Sequence, residues 1–145
     1  MTIYIASDHA GLELKSAIIK HLKWRGNTFV DEGPTTAASC DYSDFAKRVS
    51  SKVASEKCAR GILICGTGIG MSIAANKLRG IRCAMVSETY STRMTRLHND
   101  ANVIAIGART IGQGLALEIV DAFLDTPFSD EDKHIKRIKK VMDLS

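Results

Sequence analysis

A short run that is apolar on both sides, Ile62-Leu63-Ile64-Cys65, leads directly into a loop with glycine at 66, 68 and 70, and from there into a helical pattern. A strand apolar on both faces needs cover on both faces, which is the situation of a parallel sheet between two layers of helices. The rest of the chain repeats the theme. Strands are expected at Ile3–Ala6, Thr28–Val30, Gly61–Cys65, Arg82–Val86 and Val103–Ile106. Helical periodicity fills the intervals near 11–25, 42–58, 70–78, 89–98 and 111–125. The alternation predicts repeated βαβ units and a doubly wound α/β sandwich.

A last amphipathic helix is expected near 130–143, after the break at Pro127, with Ile135, Ile138 and Val141 on one stripe among lysines and arginines. It reads as an arm suited to packing on a partner subunit. With 145 residues there is chain for one core, so residues 1–145 are expected to form a single domain carrying that arm.

Composition excludes more than it selects. A net charge of +4 favours anionic ligands weakly and leaves phosphate and nucleic acid both open. Cys40, Cys58, Cys65 and Cys83 are far apart and make no CxxC or Cys/His spacing of the zinc type, so no metal site is expected. No apolar run approaches the roughly 18 residues of a membrane helix, and no signal-like segment opens the chain. The expectation is a reduced, cytoplasmic protein.

Ligands of open parallel sheets bind beyond the carboxyl ends of the strands. Three of these junctions carry chemistry: Ser7-Asp8-His9-Ala10-Gly11, Cys65-Gly66-Thr67-Gly68-Ile69-Gly70 and Gly107-Ala108-Arg109. A glycine loop opening a helix offers unpaired N–H groups and a favourable dipole to an anion. The dinucleotide fingerprint is the obvious rival, and Glu88 lies where a ribose-binding acid would be expected, but the spacing fails. Counting GxGxxG from Gly66 reaches Met71, and from Gly68 it reaches Ile73; no GxxxxGK[ST] loop exists either.

Cys65 stands beside this anion-favouring loop, where a thiolate can act as base or nucleophile, although a cysteine at a strand end is commonly just packed. Asp8 has a routine alternative as a helix cap, and His98-Asn99 as a helix C-terminus. Their position adds something. If the helix over 89–98 runs antiparallel to the strands, His98 falls at the amino edge of the sheet and cannot reach Cys65 of its own subunit. A catalytic His98 therefore predicts a homodimer with shared active sites.

Together, SDHAG, ILICGTGIGMSIAANK, SETYSTRMTRLHNDANV, AIGAR and KHIKR resemble the ribose-5-phosphate isomerase type B and galactose-6-phosphate isomerase family over nearly the whole chain. The resemblance implies a Rossmann-like five-stranded parallel sheet and a homodimer able to pair into tetramers. It also implies interconversion of ribose 5-phosphate and ribulose 5-phosphate with no cofactor or metal, and a small sugar phosphate as ligand in place of nucleic acid or membrane.

By that similarity Cys65 is the base, Thr67 with the amides of Gly66, Gly68, Ile69 and Gly70 cradles the enediolate, and His98 opens the furanose ring. Asp8 and Asn99 bind sugar hydroxyls, and His9, Arg109, Lys133 and Arg137 bind phosphate. Two positions depart from the family pattern: Lys133 replaces a frequent arginine, giving a point charge without the bidentate fork, and Ser43 replaces a proline in what reads as a loop. An isomerase of allose or galactose 6-phosphate is the nearest alternative, and a non-catalytic nucleotide- or RNA-binding module the more distant one.

Overall fold

The apolar strands assemble as their two-sided burial requires. The computed structural model describes residues 1–144. Its strands are β1 (Thr2–Ser7), β2 (Thr28–Asp31), β3 (Arg60–Cys65), β4 (Cys83–Met85) and β5 (Val103–Gly107), all parallel, in the spatial order β2-β1-β3-β5-β4. The helices are α1 (Leu12–Trp24), α2 (Tyr42–Ser55), α3 (Ile69–Ala75), α4 (Thr89–Asn99), α5 (Gln113–Asp125) and α6 (Asp132–Met142).

Strand pleating sorts the core into two halves. Ile62 and Ile64 face one side, where they join Ile18 and Leu22 of α1 and Ile119 and Phe123 of α5. Leu63 and Cys65 face the other, against Phe45 and Val49 of α2 and Met71 of α3. Each fully buried aliphatic side chain of this kind contributes about 1.5–3 kcal/mol. Gly61 leaves room between layers: a Cβ there would lie 2.9 Å from methyl groups of both Val49 and Val103.

Observed boundaries depart from expectation in ways that have local causes. The helix expected over 42–58 stops at Ser55, because Glu56 is extended and Cys58 takes a positive φ of 68°. The helix expected near 70–78 is Ile69–Ala75, and Asn76 then turns back, its amide bonding both backbone groups of Cys83 at 2.8 Å. Ser43 lies in the first turn of α2 and not in a loop. A short 3₁₀ turn, His9–Gly11, precedes α1.

The strand order positions the chemistry. From β1 the chain moves outward to β2 and then returns past β1 to β3, so β1 and β3 flank the switch point where such sheets bind ligands. Because β1, β3 and β5 are neighbours, the three loaded junctions sit side by side at one edge.

Candidate active site

At the carboxyl edge, Asp8 caps the 3₁₀ turn. Its Oδ1 accepts the N–H groups of Ala10 at 2.9 Å and Gly11 at 3.2 Å, and its own N–H donates to Ile64 O at 2.9 Å. The junction after β1 is thus stitched to β3. Gly11 is required by this closeness, since a Cβ there would fall 2.8 Å from Ile64 O. Asp8 is 8% exposed and His9 beside it is exposed.

Cys65 ends β3 opposite Gly107 and is 5% exposed. The Gly68 N–H donates to Cys65 Sγ at 3.1 Å. Gly68 is in the left-handed region at φ 78°, which turns the loop into α3 and packs it against Ala105 O, 3.0 Å from a notional Cβ. Thr67 is exposed at the crest, its Oγ1 accepting the Ile69 N–H at 3.3 Å. Arg109 arches over the same loop: its N–H donates to Gly66 O at 3.0 Å, and a Cβ on Gly66 would lie 3.4 Å from Arg109 Nη1. Asp8, His9, Cys65, the Gly66–Gly70 loop and Arg109 therefore form one cluster.

Tyr42 was not anticipated from the sequence. Its ring faces Gly70 so closely that a Cβ there would sit 2.8 Å from Cζ, and it walls the loop from the α2 side. No periodicity or motif marks such a contact.

His98 and Asn99 lie elsewhere. They end α4, and the Asn99 carbonyl accepts from Arg82 Nε at 3.0 Å at the amino end of β4. At about 3.3 Å per residue, β5 (Val103–Gly107) separates this edge from that of Cys65 by roughly 13 Å. The antiparallel run of α4 expected from the sequence is what is found. Asn99 and Arg137 share the lining of a cavity of about 250 Å³ with Arg82, Cys83, Ile138 and Val141. Burial pushes the Cys83 thiol up to about 12, so it stays neutral there.

His98 stacks on His134 of α6, another residue that sequence reasoning passed over. Lys133 is 58% exposed and paired with Glu131 at 2.8 Å. Among the described residues no group of three or more His, Cys, Asp or Glu side chains is placed to hold a metal. No helix among them is long and apolar enough to cross a membrane.

Comparison with known proteins agrees with this geometry. Residues 3–141 match the family described as Ribose/Galactose Isomerase. Ribose-5-phosphate isomerase B of Escherichia coli is 43% identical over 139 residues, covering 96% of this chain and 93% of the relative. The solved structure of Clostridium thermocellum ribose-5-phosphate isomerase B superposes with a TM-score of 0.96 at 47% identity, covering 99% of this chain and 97% of that one. The Mycoplasma genitalium ribose-5-phosphate isomerase B, solved with bound ribulose-5-phosphate, gives a TM-score of 0.94 at 41% identity, covering 99% and 95%. The fold and the site define a sugar-phosphate isomerase of the α/β class. The chain belongs to the Ribose/Galactose Isomerase family.

Proposed function

We propose that this protein interconverts D-ribose 5-phosphate and D-ribulose 5-phosphate through an enediolate, as a single isomerase domain that needs neither metal nor nucleotide. The observation that carries this reading is Cys65, held at the mouth of the switch-point crevice with the Gly68 N–H on its sulfur. The ribulose-5-phosphate bound to the Mycoplasma genitalium relative supports the five-carbon substrate.

His98 opens the furanose by taking the proton of the anomeric hydroxyl as the C1–O4 bond breaks and C1 becomes the aldehyde, and that proton is passed on to O4. The Cys65 thiolate then removes the C2 proton, and the electron pair moves to form the C1–C2 double bond with charge on O1. Amides of Gly66–Gly70 and the Thr67 hydroxyl meet that charge where it develops. The proton on O2 passes to O1's side of the enediolate, Cys65 returns its proton to C1, and C2 becomes the ketone. A positioned base of this kind contributes roughly 10²–10⁴-fold in rate.

Asp8 and Asn99 hold sugar hydroxyls. His9, Arg109, Lys133 and Arg137 hold the phosphate away from the reacting carbons, so that its binding energy orients the sugar. Because His98, Asn99 and Arg137 lie across the sheet from Cys65, the working unit in this reading is a cytoplasmic homodimer in which each subunit lends these residues to its partner, with dimers able to pair into tetramers. Ile69 and Ile73 of α3 and Ile135 and Val141 of α6, all exposed in the single chain, support such packing.

The matched family spans ribose and galactose isomerases, which makes a six-carbon substrate such as allose or galactose 6-phosphate the second reading. The deciding experiment assays ribose, allose and galactose 6- or 5-phosphates side by side with a chelator present. Conversion of the pentose is expected. Turnover of a hexose phosphate alone would transfer the substrate assignment, and no turnover by folded protein would remove the enzyme reading.

A further inference from the structure

Two arginines converge on Asp100, the residue that follows His98 and Asn99. Arg96, 2% exposed, donates from Nη1 to Asp100 Oδ1 and to Ala101 O, both at 2.7 Å, and from Nε to Thr126 O at 3.2 Å. Arg82 approaches from β4. Its Nη2 donates to Asp100 Oδ2 at 2.9 Å, and its Nε to the carbonyls of both Asn99 and Asp100 at 3.0 Å. Both carboxylate oxygens and both carbonyls at the end of α4 are therefore held.

Asp100 is also the C-cap of α4, in the left-handed region at φ 45°. Glycine or asparagine serves that position at lower cost, so capping alone does not explain a carboxylate. Nor does stability, because the Asp100 side chain is 35% exposed and an ion pair open to solvent on one side contributes little. What the charge does supply is direction. A third arginine, Arg60, donates to Ala59 O at 3.2 Å and lies close enough to feel the pair: burial and then Arg96 push its pKa down, with Asp100 opposing the effect. The carboxylate is what allows these cations to converge.

The clamp also reaches the arm. Thr126 ends α5, and the segment that begins there leads to His134, on which His98 stacks. Arg96 thus joins the end of α4, the start of β5 and the root of the connection to α6.

We infer that Asp100, gripped by Arg96 and Arg82, is a positioning residue that sets the direction in which His98 and Asn99 are presented to the partner's catalytic cysteine. This rests on the reading of His98 as the ring-opening group, and the test separates the two. Ribulose 5-phosphate is acyclic, because its O5 is esterified. Exchange of its C1 proton with solvent deuterium uses the base and the enediolate cradle but no ring step, whereas conversion of furanose ribose 5-phosphate to ribulose 5-phosphate uses all three.

Asp100→Asn retains the cap and removes the charge; Arg82→Gln leaves the Arg96 pair in place and serves where the first variant folds poorly. Both are compared with His98→Asn by deuterium wash-in against net conversion. Conversion is expected to fall about 10- to 100-fold with wash-in retained, the size of effect that a 1 Å misplacement produces. A purely structural role lowers both rates together, and a purely capping role lowers neither; either result overturns the inference. Should His98→Asn fail to uncouple the two rates, the ring-opening role falls and the positioning role with it. Uncoupling in His98→Asn alone removes only the positioning role.

Discussion

His98 lies flat against His134, with ring centroids 4.4 Å apart and planes inclined by 15°. The outer ring is exposed and the inner one 5% exposed. Burial lowers the His134 pKa first; the charge of His98 acts the same way, with Lys133 and Arg137 adding to it and Glu131 opposing.

The sign of the pH effect follows. With its folded pKa below the ordinary 6.5, His134 takes up a proton more readily in the unfolded chain. Its contribution to stability is present above that ordinary value and is lost as pH falls through the folded pKa. Melting temperature is expected to drop between about pH 7 and about pH 5, and His134→Gln should flatten that part of the curve. Parallel curves for the two proteins would mean that His134 does not report on folding.

Gly107 touches the backbone of the Gly66–Gly70 loop: a Cβ there would sit 2.8 Å from both Cα and C of Thr67. Backbone cannot swing aside as a side chain can. Gly107→Ala is expected to cost about 1–3 kcal/mol by overpacking and to lower kcat by displacing the loop amides proposed to meet the enediolate. At Gly112 a Cβ meets nothing within 4 Å, so Gly112→Ala should leave both stability and kcat nearly unchanged. Chemical denaturation with steady-state kinetics distinguishes them, and equal behaviour of the two variants would refute the argument from close approach.

Lys133 and Arg137 are one helical turn apart on α6, but only Lys133 is engaged, holding the Glu131 carboxyl below the usual carboxylate range. Arg137 faces the cavity that Asn99 lines. For a phosphate contact in that cavity, Arg137→Ala should raise KM about 10- to 100-fold, the range for a charge-assisted hydrogen bond. Lys133→Ala should raise it only about threefold, as befits an exposed ion. Glu131→Gln frees the lysine and should lower KM. A larger effect at Lys133 would show that its pairing with Glu131 yields when substrate binds.

Most of the sheet was legible because its central strands β1, β3 and β5 are largely buried on both faces, and Ile62-Leu63-Ile64-Cys65 announces that by itself. The junction residues were legible for a related reason, since strands that run parallel bring their carboxyl ends together. What stayed hidden depends on contacts across layers. Nothing in the spacing tells Tyr42 to face Gly70, His98 to stack on His134, or Arg96 to bury itself beneath Asp100. The 3₁₀ turn at His9–Gly11 is too short to carry a period. β4 reaches only from Cys83 to Met85, shorter than its apolar run, as the Arg82 side chain turns to the end of α4.

The opposed positions of Cys65 and His98 lead to the strongest test of the shared site. Cys65→Ala alone should lose about 10²–10⁴-fold in turnover, the range for a positioned base, and a buried sulfur replaced by a methyl should leave the fold intact. His98→Asn alone should lose ring opening. In the proposed shared-site homodimer, neither variant by itself holds a complete site. After subunit exchange, a heterodimer joins the His98 of the Cys65→Ala chain to the Cys65 of the His98→Asn chain, which rebuilds one site of its two. Activity of an equimolar mixture should rise on exchange and approach about a quarter that of the unmodified dimer, since about half the dimers are heterodimers with one intact site of two, a gain that non-interacting mixtures cannot show. Subunit exchange is followed independently by mass difference, and exchange without recovery would place His98 and Cys65 in the same subunit's site, against the separation that β5 imposes.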